Sequence, residues 1–182
     1  MFTSFLNKFV HKILTWDKGH IVLKKNSSGF KSGRNCRFLF HDQTQYSFGR
    51  DFDFRDFVNI RVGKGATLKI GDRFFMNNFC SVNCLHSIEI GKNVLFGEGV
   101  KVYDHNHEYA TVEGNLQVER NKFSVGEVKI GDNCWLGTNV VVLKGVTIGE
   151  NTIIGAGCVI YKDVPANSIV VKQQNLTLKE SQ

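Results

Sequence analysis

The chain has 182 residues, with 23 Lys and Arg against 17 Asp and Glu for a net charge of +6, and it is 42% hydrophobic and 22% charged. That balance describes one folded domain with a sizeable core, not a disordered chain, and no apolar run reaches the roughly 20 residues of a membrane-spanning helix. The positive charges are scattered among acids, so no nucleic-acid partner is expected.

In residues 1–16, Phe2, Phe5, Leu6, Phe9, Ile13 and Leu14 fall on one helical stripe, with Lys8, His11 and Lys12 elsewhere. Those polar residues interrupt any secretion-signal core, and no small-residue cleavage site follows, so the segment is expected to stay on the mature protein. It either caps the end of the fold or, as a basic amphipathic helix, rests on an anionic membrane surface. Five cysteines without an export signal point to a reducing cytoplasm, with peripheral membrane association through residues 1–16 left open. Cys80 and Cys84 lack a second matching pair, so no metal site is expected.

Beyond Phe30 the dominant signal is a period of six. Ile130, Leu136, Val142, Ile148, Ile154 and Ile160 put an aliphatic residue at every step, and a small or β-branched residue follows four positions later: Cys134, Val140, Val146, Thr152, Cys158 and Val164. This period fits neither a helix nor a heptad. It fits short strands separated by tight corners. The same phase runs through Ile70, Met76, Val82, Ile88 and through Ile90, Phe96, Val102, slipping by two residues between Leu68 and Ile70 and between Ile88 and Ile90. Three hexads close one coil, giving coils at about 48–69, 70–89, 90–107, 128–147 and 148–165, with a degenerate coil from Phe30. Five or six coils at about 4.8 Å each make a three-faced column roughly 25–30 Å tall. Inside it, Cys80, Cys134 and Cys158 read as small buried hydrophobes. The heavy load of 15 Phe falls mostly before residue 80, which predicts two differently built halves. The expected organisation is a helix and cap at 1–29, the column at 30–168 with a loop excursion at 108–127, and a polar tail at 169–182.

The excursion starts beside the most unusual polar cluster in the chain, Tyr103-Asp104-His105-Asn106-His107-Glu108-Tyr109. Loops of this length inside a compact repeat are uncommon, and they are usually functional or disordered. A neutral imidazole, with an unperturbed pKa near 6.5, accepts a proton at neutral pH. On an extended strand His105 and His107 share a face, with Asp104 and Asn106 opposite.

With these hexads and this cluster, the chain resembles the hexapeptide-repeat acyltransferases over about residues 60–168, and within them the sugar O-acetyltransferases related to the maltose, galactoside and colanic-acid enzymes. The resemblance implies an all-β fold, a left-handed parallel β-helix of hexapeptide repeats with an N-terminal capping helix. It also implies an acetyl-coenzyme A donor, a sugar acceptor and a homotrimer with sites between neighbouring columns. Seventeen positions beyond Ile90, where the family carries its general base, stands His107, with His105 as the alternative. Asp104 or Glu108 is left to orient the imidazole.

Asn77 matches the family Asn that contacts the acceptor or the oxyanion, although it also sits where the repeat prefers Gly. Asn83, His105 and Asp104 are further acceptor-side candidates. Trp135, in Asn133-Cys134-Trp135-Leu136-Gly137, matches the aromatic lining the donor and acceptor cleft from an exposed corner. Gly137, Thr138, Ala156, Tyr161 and Lys162 fall where the family's coenzyme A contacts lie, although for Ala156 an ordinary small repeat residue is the stronger explanation. After Ser168 the text Val170-Val171-Lys172-Gln173 departs from the family pattern, leaving the adenine-end contacts without counterparts. The acceptor implied is a surface-polysaccharide sugar. N-acetylation of an amino sugar or nucleotide sugar is the runner-up. The other readings are a γ-type carbonic anhydrase, using His86, His105 and His107 on zinc, and a non-catalytic scaffold.

Overall fold

The computed structural model describes residues 19–173. The predicted first helix and the last residues of the polar tail lie outside the described residues.

Three parallel sheets wrap around one axis. Face 1 stacks Lys31–Ser32, Asp53–Phe54, Phe75–Met76, Leu95–Phe96, Trp135–Leu136, Ile153–Ile154 and Ile169–Val170. Face 2 stacks Arg37–Phe40, Asn59–Val62, Ser81–Cys84, Lys101–Tyr103, Val141–Val142 and Val159–Ile160. Face 3 stacks Gln45–Phe48, Thr67–Ile70, Ser87–Ile90, Val128–Ile130 and Thr147–Ile148, and Val164 bridges to Ile148 above them. The chain thus makes six coils, I to VI, and the degenerate coil from Phe30 is a full one.

The frame slips have a plain cause. In the lower coils the strands of faces 2 and 3 are four residues long, so each buries two alternate side chains: Ile60 and Val62, Val82 and Cys84, Leu68 and Ile70, Ile88 and Ile90. Pairing residues are therefore 22 apart from Lys31 to Asp53 to Phe75, but only 18 apart from Trp135 to Ile153. The wider lower column holds aromatic rings. Phe52, Phe54, Phe74 and Phe96 are fully buried, with Phe74 edge-on to Phe54 at 5.7 Å and to Phe96 at 4.9 Å. The upper column is aliphatic, filled by Leu136, Val140, Val142, Val146, Ile148 and Ile154.

Corners hold the coils in register. Between faces 3 and 1, Asp51, Arg73, Asn93, Asn133, Asn151 and Asn167 all have positive φ, the left-handed conformation that Asn tolerates best among side-chain-bearing residues. Their amides form a ladder: Asn93 Nδ2 donates to Asn133 at 2.8 Å, Asn133 to Asn151 at 3.0 Å, and Asn151 to Asn167 at 3.2 Å. Between faces 1 and 2 the left-handed residue is Asn35, Phe57, Phe79, Gly99, Asn139 and Gly157 in coils I to VI. Gly97 and Gly137 serve a different purpose, since a Cβ on either would stand 2.8 Å from a backbone nitrogen of the next coil. Asn77 aligns with these glycines, at a position of close approach and not of left-handed backbone.

A helix running to residue 26 closes the lower end. Leu23 is buried, and His20 packs edge-on to Phe38 at 4.6 Å. At the upper end the ladder continues past residue 168, because Ile169–Val170 pairs with Ile153–Ile154. Among the described residues no helix is long and apolar enough to cross a membrane. All five cysteines are buried; Cys80 donates to the Gly97 carbonyl at 3.0 Å, and burial pushes its pKa up to about 11.

The expected loop excursion is instead an antiparallel hairpin of His105–Val112 and Asn115–Val125. The two residues between them, Glu113 and Gly114, both have positive φ, at 50° and 78°, which suits a two-residue hairpin turn. Tyr109 opposite Val118 and Thr111 opposite Leu116 then give the segment a period of two, invisible to a search for sixes.

Candidate active site

The hairpin leaves the column at Asp104, which follows the strand Lys101–Tyr103 in the inward register of Val62 and Cys84. A carboxylate there needs partners for every lone pair it brings out of water. It finds them in three successive backbone N–H groups of the coil below. Leu85 donates to Asp104 at 2.9 and 3.0 Å, His86 at 2.7 Å and Ser87 at 2.9 Å. The Asp104 carbonyl accepts the N–H of Gly126 at 2.9 Å and so ties down the hairpin's far root. Asp104 is 0% exposed with both oxygens engaged, so it cannot touch an acceptor directly as expected. Burial and the neighbouring Asp104 charge raise the Cys84 thiol pKa, which removes that sulfur as a nucleophile.

Asp104 also fixes His105, whose Nδ1 lies 2.9 Å from Oδ1. The His105 side chain is 17% exposed and meets Phe123 edge-on at 5.3 Å and Tyr103 at 6.1 Å. His107 is exposed and is held differently. Its Nδ1 lies 3.0 Å from the Glu119 carbonyl across the hairpin, and its ring packs on Phe123 at 4.6 Å. Neither Asp104 nor Glu108 forms a hydrogen bond to His107. Because a carbonyl accepts only, Nδ1 of His107 must donate, which leaves Nε2 as the unprotonated nitrogen of the neutral ring. Sequence reasoning missed the Glu119 carbonyl and Phe123, which are 12 and 16 residues from His107 and adjacent only once the hairpin forms.

The remaining candidates divide between two corners. Asn83 pairs with Tyr103 on face 2, close to the hairpin root, and Tyr161 and Lys162 occupy the same face 2 to face 3 corner in coil VI, with Lys162 Nζ 5.8 Å from the Tyr161 ring. Asn77, Gly137, Thr138 and Ala156 belong to the face 1 to face 2 corner. Trp135 is on the flat of face 1 and not at a corner, pairing with Leu95 below and Ile153 above, and is half exposed. Among the described residues no hydrogen bond or ring contact joins the two clusters, and no group of three or more His, Cys, Asp or Glu side chains is gathered to hold a metal ion. A shallow groove of about 360 Å³ at the third corner, beside Lys129, Asp132 and Glu150, is separate from both.

Residues 127–162 match the family model described as bacterial transferase hexapeptide (six repeats). Over those residues the chain carries the hexapeptide repeat that the model describes. Its column is a parallel β-solenoid of six turns. The chain is 34% identical over 105 residues to galactoside O-acetyltransferase of Escherichia coli, covering 58% of this chain and 50% of the relative. It spans about half the length of several curated relatives it matches. Among solved structures it is similar to a maltose O-acetyltransferase from Clostridium difficile, with TM-score 0.52 and 26% identity over 85% of this chain and 70% of that one. It shares its fold with a hexapeptide-repeat acetyltransferase from Vibrio cholerae solved with acetyl coenzyme A, with TM-score 0.54 and 24% identity over 82% and 69% of the two chains.

Proposed function

We propose that this protein transfers an acetyl group from acetyl coenzyme A to a hydroxyl of a surface-polysaccharide sugar, with His107 as general base. The observation that carries the reading is the anchoring of His107 Nδ1 on the Glu119 carbonyl at 3.0 Å, which leaves an exposed Nε2 able to accept a proton. The sugar hydroxyl gives its proton to Nε2 as its oxygen attacks the thioester carbonyl. The tetrahedral intermediate then collapses, the carbon–sulfur bond breaks, and the imidazolium returns the proton to the departing thiolate. In this reading Asn77 steadies the oxyanion, Trp135 lines the cleft, Gly137, Thr138 and Ala156 let the pantetheine arm approach the backbone, and Tyr161 and Lys162 answer the phosphates. Asn83 and His105 then serve the acceptor side.

The separation of the two corner clusters supports a homotrimer. Three columns about a three-fold axis set the hairpin corner of one against the Gly137 corner of the next. The names of the galactoside and maltose relatives support a sugar hydroxyl over an amine, and use of acetyl coenzyme A is consistent with work in the cytoplasm.

A second reading takes His105 as the base, favoured by its Asp104 partner at 2.9 Å. Free-thiol release from acetyl coenzyme A, measured against a panel of sugars and amino sugars, tests both. His107→Ala is expected to lower turnover at least ~100-fold. A near-native rate in that variant together with collapse in His105→Ala transfers the role to His105, and transfer to amines alone refutes O-acetylation.

A further inference from the structure

The face 1 to face 2 corner carries two side chains that the fold does not ask for. Asn or Gly fills its left-handed position in four coils, as Asn35, Gly99, Asn139 and Gly157, but coils II and III place Phe57 and Phe79 there, each at φ 60°. A bulky ring in this conformation is strained. Burial does not compensate, since Phe57 is 47% and Phe79 54% exposed. The two rings stack on each other, with centroids 5.0 Å apart and planes 13° from parallel.

The pile stops at coil IV, where Gly99 has no side chain. The three atoms nearest to a Cβ on Gly99 would all belong to Asn139, its Oδ1 first, so an amide overlooks this end of the stack. Lys101 Nζ reaches the same place, donating to the Gly99 carbonyl at 2.9 Å. Asn77 Oδ1 accepts the Asn78 N–H at 2.8 Å, and among the described residues its Nδ2 makes no hydrogen bond. Apolar ring faces bordered by amides and one ammonium group match a pyranose, which has a C–H face and a hydroxyl rim.

We propose that Phe57 and Phe79 form a stacking platform for a pyranose ring, of the kind whose C–H bonds gather on one face as in β-galactosides, with Asn77, Asn139 and Lys101 at its polar edge. The identification of that ring as the acceptor rests on the sugar-transferase reading, while the binding itself does not.

The test is saturation-transfer NMR with methyl β-galactopyranoside on the full chain and on the double variant Phe57→Asn, Phe79→Asn. Asn is the residue the same corner uses in coils I and V, so the variant is expected to fold and to melt no lower than the parent. The platform predicts transfer to the sugar's H3, H4 and H5 in the parent and about tenfold weaker binding in the variant, with the state of assembly unchanged by sedimentation. Equal binding by the two proteins overturns it, as does no binding by the parent. A variant that falls into monomers also overturns it, because the rings are then a contact between copies. Stacking that persists without any acetyl transfer keeps the platform and sinks the transferase reading.

Discussion

The lower and upper parts of the column use the same corner backbone to enclose different cores. Below, four-residue strands leave room for two inward side chains on faces 2 and 3, and Phe38, Phe52, Phe54, Phe74 and Phe96 fill the space. Above, two-residue strands leave room for one, and Val, Leu and Ile suffice. The histidines lie where one plan gives way to the other. In coil IV the second inward position on face 2, held by Val62 and Cys84 below, passes to Asp104, and from there the chain leaves the column as the hairpin. The site thus grows from a change in coil width, and the surplus inward position supplies the carboxylate that locks the hairpin root.

The sharpest way to break this comparison is to remove the hairpin. Replacing residues 105–125 with a tight turn like the one at Lys144 and Gly145 is expected to bring transfer down to background while the column melts near its native temperature, because among the described residues the hairpin strands pair only with each other. Collapse of the column would show the hairpin to be part of the core.

Urea unfolding compares the two halves next. Phe74→Ala, in the wide aromatic part, should cost roughly 3–5 kcal/mol, and Ile148→Val, in the narrow part, about 0.5–1.5 kcal/mol. Equal losses would mean that the rings do not carry the lower half.

The smallest effect concerns acid. The Arg34 backbone N–H, with help from the Arg34 guanidinium, holds the Asp56 carboxyl below its ordinary 3.8. A carboxyl depressed in the folded state contributes stability above that value and loses it as pH falls further. Asp56→Asn should therefore flatten the melting curve against pH below about 4 and leave it unchanged in shape near neutrality.

The hexads made the column legible from residues alone, since an aliphatic at every sixth position admits few other folds. The two-residue slips were visible as well, but not their cause, because a sequence does not say whether an extra pair of residues lengthens a strand or bulges from a corner. The hairpin was hidden by its change of period, although Glu113-Gly114 between alternating residues was its signal. His107 was legible as a candidate through the family resemblance. Its anchor was not, because the Glu119 carbonyl carries no side-chain signature. Asp104 read as a ligand-facing acid, since nothing in its neighbours reveals that three backbone N–H groups from the previous coil surround it. Phe57 and Phe79 read as part of the aromatic load until their backbone angles set them apart.

The central claim is that the imidazole at the hairpin corner and the small-residue corner around Thr138 act together only when two columns meet. Co-assembly of His107→Ala with Thr138→Trp, each inactive alone, tests it through thiol release from acetyl coenzyme A. Random mixing in a trimer pairs an intact hairpin corner with an intact Thr138 corner at about a quarter of the sites, so about a quarter of the native rate should return. A mixture as inactive as its components would place both corners of each site within one chain and contradict the account.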